Sequence, residues 1–211
     1  MRRQFASDNN AGVCPEALAS MLQANGEGHA TGYGDDDWTA RAVASIQALF
    51  ECDCDVFFVF NGTAANALSL AQICRSYHAV IAHGFSHVVM DEAGAPGFYS
   101  GGATLLPADT PQGKLTPDIV AALAQANPGV HHVKPAALSL TQATELGTVY
   151  TVKEIAALTA VARTHGLRVH MDGARFANAV SRLGCSPAAA SWQAAKTPPK
   201  NPLTSCWVQL M

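Results

Sequence analysis

The chain has 211 residues, of which 49% are hydrophobic and 14% are charged, so it can bury a sizeable core and does not have the composition of a disordered protein. Its formal net charge is -3 and charges of both signs are mixed along it, which excludes a basic stripe for nucleic acid. No apolar run reaches the ~18 residues of a membrane span, and the first residues lack the apolar segment of a signal peptide. We therefore expect a cytoplasmic protein without nucleic-acid or membrane partners.

Helical and strand patterns alternate along most of the chain. Apolar residues at helical spacing predict helices at 15–23, 38–50, 64–75, 119–125 and 151–165, and the start of another at 176–183. Continuous apolar runs predict strands at 55–60, 79–82, 103–107, 136–140 and 167–171. This alternation predicts an α/β fold, with a mostly parallel sheet and helices on both of its faces.

The segment 167–175, LRVHMDGAR, places a carboxylate, a glycine turn and an arginine directly after an apolar strand. Ligands of open parallel sheets bind in the crevice outside the carboxyl ends of the strands, so we expect Asp172 to project into such a crevice. In the alternative interpretation, Asp172 only caps the next helix and Arg175 is a solvated residue of its first turn. This segment alone does not decide between the two.

Gly62 and Thr63 lie between a predicted strand and a predicted helix. Free backbone N–H groups, a hydroxyl and the positive end of a helix dipole meet at such a place, which favours a phosphate group. The signal is weak, because a single glycine often marks only a turn and the segment matches neither common nucleotide-binding motif.

His83 and His87 are spaced so that they could share one helical face and bind a metal ion, but no acidic base or third ligand accompanies them. A histidine that stacks on a flat cofactor is a better interpretation of this pair. A histidine that is simply hydrogen-bonded in a loop is a third.

Six short segments occur in a fixed order and together carry a resemblance. They are 62–66 (GTAAN), 87–96 (HVVMDEAGAP), 100–103 (SGGA), 113–117 (GKLTP), 145–150 (ELGTVY) and 170–175 (HMDGAR). In this order they closely resemble the low-specificity L-threonine aldolases, within the β-eliminating-lyase group of pyridoxal-phosphate enzymes that share the aspartate-aminotransferase fold. The resemblance runs from about residue 7 to about residue 192.

The resemblance implies pyridoxal 5'-phosphate as the cofactor and assigns residues to it. Asp172 matches the carboxylate that pairs with the pyridinium nitrogen and keeps it protonated. His87 matches the imidazole that stacks on the ring and assists proton transfer from the substrate hydroxyl. Gly62 and Thr63 match the phosphate-binding turn. With Arg175 these residues form the predicted cofactor-binding set.

The resemblance also implies an amino-acid substrate. Ser7 and Arg175 match the residues that hold the substrate carboxylate, to which the planar guanidinium gives a fixed orientation. A second active-site histidine corresponds to His131 or His132, and the sequence does not choose between them. We take His131 with His87 and Asp172 as the predicted catalytic set.

The implied reaction is the aldol cleavage of L-threonine or L-allo-threonine to glycine and an aldehyde, catalysed by a homo-oligomer, either a dimer or a tetramer. Two alternatives stay open. The chain could be a catalytically inactive fragment that lacks the lysine to which the cofactor is attached, or another β-eliminating lyase of the same fold that acts on aromatic or sulfur amino acids.

The chain departs from the family near its end. The cofactor lysine is expected at about residues 201 to 206, which read NPLTSC, while Lys196 and Lys200 are out of register. We therefore expect residues 1–192 to form an incomplete large domain, and residues 193–211 to be an irregular tail produced by a frameshift or premature stop near Ala195. The smaller C-terminal domain of the family is then expected to be missing.

Overall fold

The structure, a computed structural model, describes residues 10–26, 28–126, 129–194 and the backbone of 207–210. By its internal contacts the chain divides into two compact units, Met1–Ala48 and Leu49–Met211. None of the helices found in the described ranges is both long and apolar enough to cross a membrane.

The first unit contains α1 (Pro15–Gly26) and most of α2 (Asp37–Phe50), which confirms the helices predicted at 15–23 and 38–50. Asp36 accepts hydrogen bonds from the backbone N–H and the hydroxyl of Thr39, at 2.8 and 2.7 Å, and so caps the start of α2. These two hydrogen bonds lower the pKa of Asp36. The cap therefore explains why α2 begins immediately after Asp36.

The second unit is built on a five-stranded parallel sheet. Its strands are β1 (His78–His83), β2 (Thr104–Ala108), β3 (Lys134–Thr141), β4 (Arg168–Gly173) and β5 (Trp207–Leu210). Their spatial order is β2-β1-β3-β4-β5, so the chain reverses its direction across the sheet between β1 and β3. In sheets of this kind the crevice beside such a reversal is where ligands bind.

Six helices accompany this sheet in the described part of the second unit. They are α3 (Gly62–Ile73), α4 (His87–Met90), α5 (Ala95–Tyr99), α6 (Pro117–Gln125), α7 (Val152–Thr164) and α8 (Phe176–Leu183). Helix α3 packs on α5, whereas α6 packs on α7. With the right-handed crossovers that are the rule in parallel sheets, this strand order puts the β1–β2 connection on one face and the β2–β3 and β3–β4 connections on the other. The predicted α/β architecture with helices on both faces is confirmed.

Local sequence explains where several of these helices begin and end. Asn61 caps α3 by accepting a hydrogen bond from the N–H of Ala64 at 2.9 Å. Thr151 and Glu154 form a reciprocal capping box at the start of α7. Helix α8 stops at Leu183 because Gly184 adopts a φ of 63°, a conformation that glycine takes without strain.

The core lies between the central strands and the helices. The interiors of β1 and β3 are mostly apolar and are covered on both faces, so Ile81, Leu138 and Leu140 are fully buried, as is Met171 in β4. This burial explains why their sequences are continuous apolar runs rather than alternating ones.

The predicted strand at 55–60 is wrong. No residue from 55 to 60 is in a strand, and Phe57, Phe58 and Phe60 are 71%, 59% and 97% exposed. The apolar sequence favours a strand, but a strand also requires a neighbouring strand for its backbone hydrogen bonds. Among the described residues, none pairs with this segment.

The prediction that residues 193–211 form an irregular tail is wrong for four of them. Trp207–Leu210 form β5, which pairs in parallel with β4 from His170 to Gly173. The pairing satisfies one side of β4, and the rest of residues 195–211 lie outside the described ranges.

Candidate active site

Three strands end beside the reversal in chain direction, and their last residues define a crevice. Strand β1 ends at His83, β3 at Thr141 and β4 at Gly173, with Thr141 in register with Asp172. All strands run in parallel, so these ends lie at one edge of the sheet.

Asp172 is buried at this edge, with only 3% of its surface exposed. One carboxylate oxygen, Oδ1, accepts the N–H of Ala174 at 3.0 Å, and the other, Oδ2, accepts the side-chain Nδ2 of Asn66 at 3.0 Å. Helix α8 begins one residue after Arg175, which occupies its N-cap position. Asp172 is therefore not the cap of α8, which removes the main support for the alternative interpretation of this residue.

The start of α3 lies next to Asp172, because Asn66 is in the second turn of this helix. Gly62 and Thr63 are its first two residues and are half-buried. Asn61 takes up the N–H groups of Ala64 and Ala65. The N–H groups of Gly62 and Thr63 point out of the helix start, as an anion site requires.

A buried carboxylate, Glu92, joins this cluster and was not predicted as a site residue. Its Oε1 accepts the Nδ2 of Asn66 at 2.7 Å and the Nδ1 of His87 at 2.8 Å. The same Nδ2 also donates to Asp172, so Asn66 bridges the two carboxylates. The only signal in the sequence was that Asn66 and Glu92 belong to the segments that carry the family resemblance.

His87 is held at two points but keeps an open ring. Its side chain is 46% exposed, while the side chain of Glu92 beside its Nδ1 is 1% exposed. The backbone N–H of His87 donates to Glu145 Oε1 at 2.9 Å. One edge of the imidazole is thus anchored in the protein while much of the ring is free to contact a bound molecule.

Two titratable groups of this cluster have shifted pKa values. Burial alone would raise the pKa of Glu92, but hydrogen bonds from Thr63, Asn66 and His87 outweigh burial and lower it. Burial lowers the pKa of His170 to about 4, although the carboxylates of Asp172 and Glu92 act in the opposite direction. At neutral pH the cluster therefore holds an ionised Glu92 and a neutral His170.

Three buried polar atoms of the cluster have no hydrogen-bond partner among the described residues. They are Asn66 Oδ1, Glu92 Oε2 and His170 Nε2. The other ring nitrogen of His170, Nδ1, is 2.9 Å from the hydroxyl of Ser139. A buried polar atom without a partner costs about 1–3 kcal/mol of stability. Three such atoms in one cluster therefore indicate that these residues serve a function, such as binding a ligand, and not only the stability of the fold.

The metal interpretation of His83 and His87 is not supported by their contacts. His83 Nδ1 accepts the N–H of Phe85 at 3.1 Å, so its Nε2 carries the ring hydrogen and donates it to the carbonyl oxygen of Thr110 at 3.3 Å. Both ring nitrogens of His83 are therefore used inside the protein, as in the loop interpretation. No group of side chains that could hold a metal ion is found in the ranges that the structure describes.

The remaining predicted site residues differ in their placement. Arg175 is half-buried and follows Asp172 by three residues, at the N-cap of α8. His131 and His132 are exposed and precede β3, whose opposite end carries Thr141. With eight residues at about 3.3 Å each, β3 separates them from the crevice by its whole length, which contradicts a role for His131 in the crevice formed within one chain. Ser7 lies outside the described residues.

A parallel α/β sheet with a buried carboxylate and a helix start at its switch point is the arrangement of an enzyme domain that binds a small molecule. The sequence model of the family described as "Beta-eliminating lyase" matches residues 4–194. The chain therefore belongs to the β-eliminating lyase family.

Named relatives narrow this class. The chain is 55% identical over 192 residues to the low specificity L-threonine aldolase of Pseudomonas aeruginosa, and 52% identical to that of Pseudomonas sp. strain NCIMB 10558. Each match covers 91% of this chain but 55% of the relative, so the chain spans just over half the length of these proteins.

Solved structures agree with the fold. The threonine aldolase of Leishmania major superposes with a TM-score of 0.80 at 33% identity, over 85% of this chain and 53% of that one. Pyridoxamine-pyruvate aminotransferase from Mesorhizobium loti superposes with a TM-score of 0.55 at 16% identity, over 84% of this chain and 42% of that one, which shows the shared fold alone. The predicted aminotransferase-type large domain is confirmed, and pyridoxal phosphate is the cofactor of this family.

The residues present fit this cofactor. Asp172 is a buried carboxylate whose described partners are two neutral N–H groups, and in the described ranges no cation forms an ion pair with it. A carboxylate offers about four lone-pair positions, so Asp172 can accept a further, positively charged donor such as a protonated ring nitrogen.

Proposed function

We propose that the chain contributes the cofactor-binding large domain, residues 1–192, of a pyridoxal-phosphate enzyme that cleaves β-hydroxy-α-amino acids such as L-threonine or L-allo-threonine to glycine and an aldehyde. The observation that carries this proposal is the buried link from Asp172 through Asn66 and Glu92 to His87. The names of the relatives that match most of the chain support the substrate class.

When bound, pyridoxal phosphate supplies an electron sink for the pair released as the Cα–Cβ bond breaks. Asp172 would accept a charge-assisted hydrogen bond from the ring nitrogen and so keep the proton on that nitrogen. Gly62 and Thr63 would bind the phosphate through their N–H groups at the start of α3. These two contacts would orient the group at its opposite ends.

His87 would supply the base. Its Nδ1 is occupied by Glu92, so its Nε2 is the ring atom that can accept the proton of the substrate hydroxyl. The open face of the same imidazole would stack on the ring of the cofactor. Arg175, with Ser7, would hold the substrate carboxylate, and the guanidinium would fix its orientation.

Two further parts of the proposal concern the protein's surroundings. A homo-oligomer, dimeric or tetrameric, is the assembly that the family resemblance implies. A cytoplasmic location is the one that the sequence favours.

The proposal is tested by incubating the purified 211-residue chain with pyridoxal phosphate and L-threonine, and by measuring glycine and acetaldehyde. If the chain by itself carries the activity, both products appear in equal amounts. Borohydride reduction followed by peptide mapping then identifies any lysine that carries the cofactor, and Lys196 and Lys200 are the candidates next to the expected position. A chain that binds no pyridoxal phosphate in an equilibrium titration would contradict the proposal.

A second candidate, an inactive cofactor-binding fragment, is favoured by the absence of lysine from residues 201–206. It predicts that the titration shows binding while borohydride fixes no cofactor and no glycine is released. Another β-eliminating lyase activity would instead be recognised by ammonia release from aromatic or sulfur amino acids.

A further inference from the structure

Glu92 occupies a central position in the buried cluster, because one of its oxygens serves two donors. Its Oε1 is 2.7 Å from Asn66 Nδ2 and 2.8 Å from His87 Nδ1. The residue is 2% exposed, whereas the imidazole that it contacts is 46% exposed. Glu92 is thus a buried carboxylate that contacts the Nδ1 edge of a partly exposed imidazole.

The amide of Asn66 can be oriented in only one way. It faces Glu92 on one side and Asp172 on the other, and ionised carboxylates only accept hydrogen bonds. Both hydrogens of its Nδ2 must therefore point at these two carboxylates, since a flipped amide would place its oxygen against them. Asn66 and His87 consequently hold the same oxygen of Glu92, Oε1, in place.

Glu92 Oε1 also determines which ring nitrogen of His87 carries a hydrogen. The hydrogen bonds that lower the pKa of Glu92 keep its carboxylate ionised at neutral pH, so it has no hydrogen to donate. The short contact to His87 then requires a hydrogen on Nδ1. In a neutral imidazole this leaves Nε2 without one.

We propose that Glu92 is a positioning residue that fixes the neutral His87 side chain in the tautomer with its hydrogen on Nδ1, and so leaves Nε2 as the proton acceptor toward the substrate. This inference rests on the proposed function, because His87 is the base assigned there. Through Asn66, Glu92 is also linked to Asp172, so one buried network orients the base and the carboxylate assigned to the cofactor.

The test is ¹⁵N NMR of the 211-residue chain with labelled histidine, without cofactor, at about pH 8, where an ordinary histidine is neutral. The signals of His87 are assigned by their loss in His87→Gln. We expect the large majority of His87 to carry its hydrogen on Nδ1. In Glu92→Gln the amide can donate to Nδ1, so we expect the Nδ1–H form to fall to about half or less.

Glu145→Gln is the matched control. Glu145 also accepts a hydrogen bond from His87, but from the backbone N–H rather than the ring. We expect the tautomer of His87 to stay unchanged in this variant, which a general loosening of the loop would not predict.

Two results would overturn the inference. One is a wild-type His87 that carries its hydrogen mainly on Nε2, which can be measured even if Glu92→Gln does not fold. The other is a folded Glu92→Gln with the wild-type tautomer. Neither readout needs cofactor or substrate, so a failure of threonine cleavage leaves this test intact, and a wrong tautomer leaves the cleavage assay intact.

Discussion

Two buried polar clusters lie at the edge of the sheet where the strands end, one directly after β3 and one around Asp172 of β4, and they are built differently. In one, Gln142 Nε2 donates to the carbonyl of Tyr150 at 2.8 Å, the N–H of Tyr150 donates to Gln142 Oε1 at 3.0 Å, and the Tyr150 hydroxyl accepts the N–H of Leu115 at 2.7 Å. In the other, which surrounds Asp172, three buried atoms have no hydrogen-bond partner among the described residues.

The difference separates structure from function. The side chains of Gln142 and Tyr150 contribute no buried unpartnered atom, so this cluster closes a loop and serves the fold alone. Asn66, Glu92 and His170 each leave one atom unpaired, which a sequence selected only for stability would avoid. We therefore expect substitutions in the first cluster to change stability, and substitutions in the second to change ligand binding.

The largest expected effect is that of Asp172→Asn. The variant keeps the size of the side chain but removes the charge that would hold a protonated ring nitrogen, so we expect cofactor affinity to fall by about tenfold or more and any aldol cleavage by about a hundredfold or more. Fluorescence or absorbance titration with pyridoxal phosphate measures the first, and glycine release measures the second.

Asp109→Asn is the control for this prediction. Asp109 is an exposed carboxylate that directly follows β2, at the same edge of the sheet. We expect it to bind pyridoxal phosphate like the wild type. If Asp172→Asn binds pyridoxal phosphate with wild-type affinity, Asp172 does not contact the cofactor and only stabilises the turn before α8.

The next prediction uses the pH dependence of stability. The folded state holds the pKa of His170 at about 4, while an ordinary histidine has 6.5. As the pH falls through this interval, the unfolded chain binds a proton that the folded chain does not, so stability decreases, and below about 4 this contribution no longer changes. We expect His170 to contribute a loss of about 2 kcal/mol between about pH 7 and about pH 5.

Urea unfolding at the two pH values measures this loss in the wild type and in His170→Asn. The variant should lose less stability on acidification than the wild type. Removing the exposed His132 by His132→Gln should leave the loss unchanged. An equal pH dependence in His170→Asn and the wild type would show that His170 is not a neutral buried base.

The sequence predicted the elements whose signals are local. The run before Asp172 is apolar and is followed by a carboxylate and a glycine turn, and the structure places it as β4. The strand predicted at 55–60 failed because pairing depends on what lies beside a segment, and the same dependence hid β5.

Glu92 shows the same limit within the site. Its partner Asn66 is 26 residues away in the chain, and Asn66 reaches Asp172 across 106 residues. No local pattern marks a carboxylate that becomes buried by such distant contacts. The position of His131 shows a related limit, because no local pattern tells that it precedes β3 at the end away from Asp172.

The last prediction tests the cluster of Gln142 and Tyr150, here called the closed cluster. Tyr150→Phe removes the hydroxyl that accepts the N–H of Leu115 and leaves that buried donor without its acceptor, so we expect the free energy of unfolding to fall by about 1–3 kcal/mol. Burial raises the pKa of Tyr150, so the hydroxyl stays protonated across the neutral range and the loss should be the same at about pH 6 and about pH 8. Urea unfolding measures the loss at each pH.

The cofactor titration of the same variant decides whether the two clusters are separate. The side chains of Tyr150 and Gln142 satisfy each other, and Gln142 meets Asp172 through backbone groups, its N–H donating to the Asp172 carbonyl at 2.9 Å. Because Tyr150→Phe leaves that backbone contact in place, we expect the variant to bind pyridoxal phosphate with about the wild-type affinity under conditions in which it is folded. Tyr99→Phe, at a ring that is 58% exposed, should change stability by less than about 0.5 kcal/mol. A tenfold loss of cofactor affinity in Tyr150→Phe would mean that the closed cluster also shapes the crevice. Unpartnered buried atoms would then not distinguish a cluster that binds a ligand from one that only stabilises the fold.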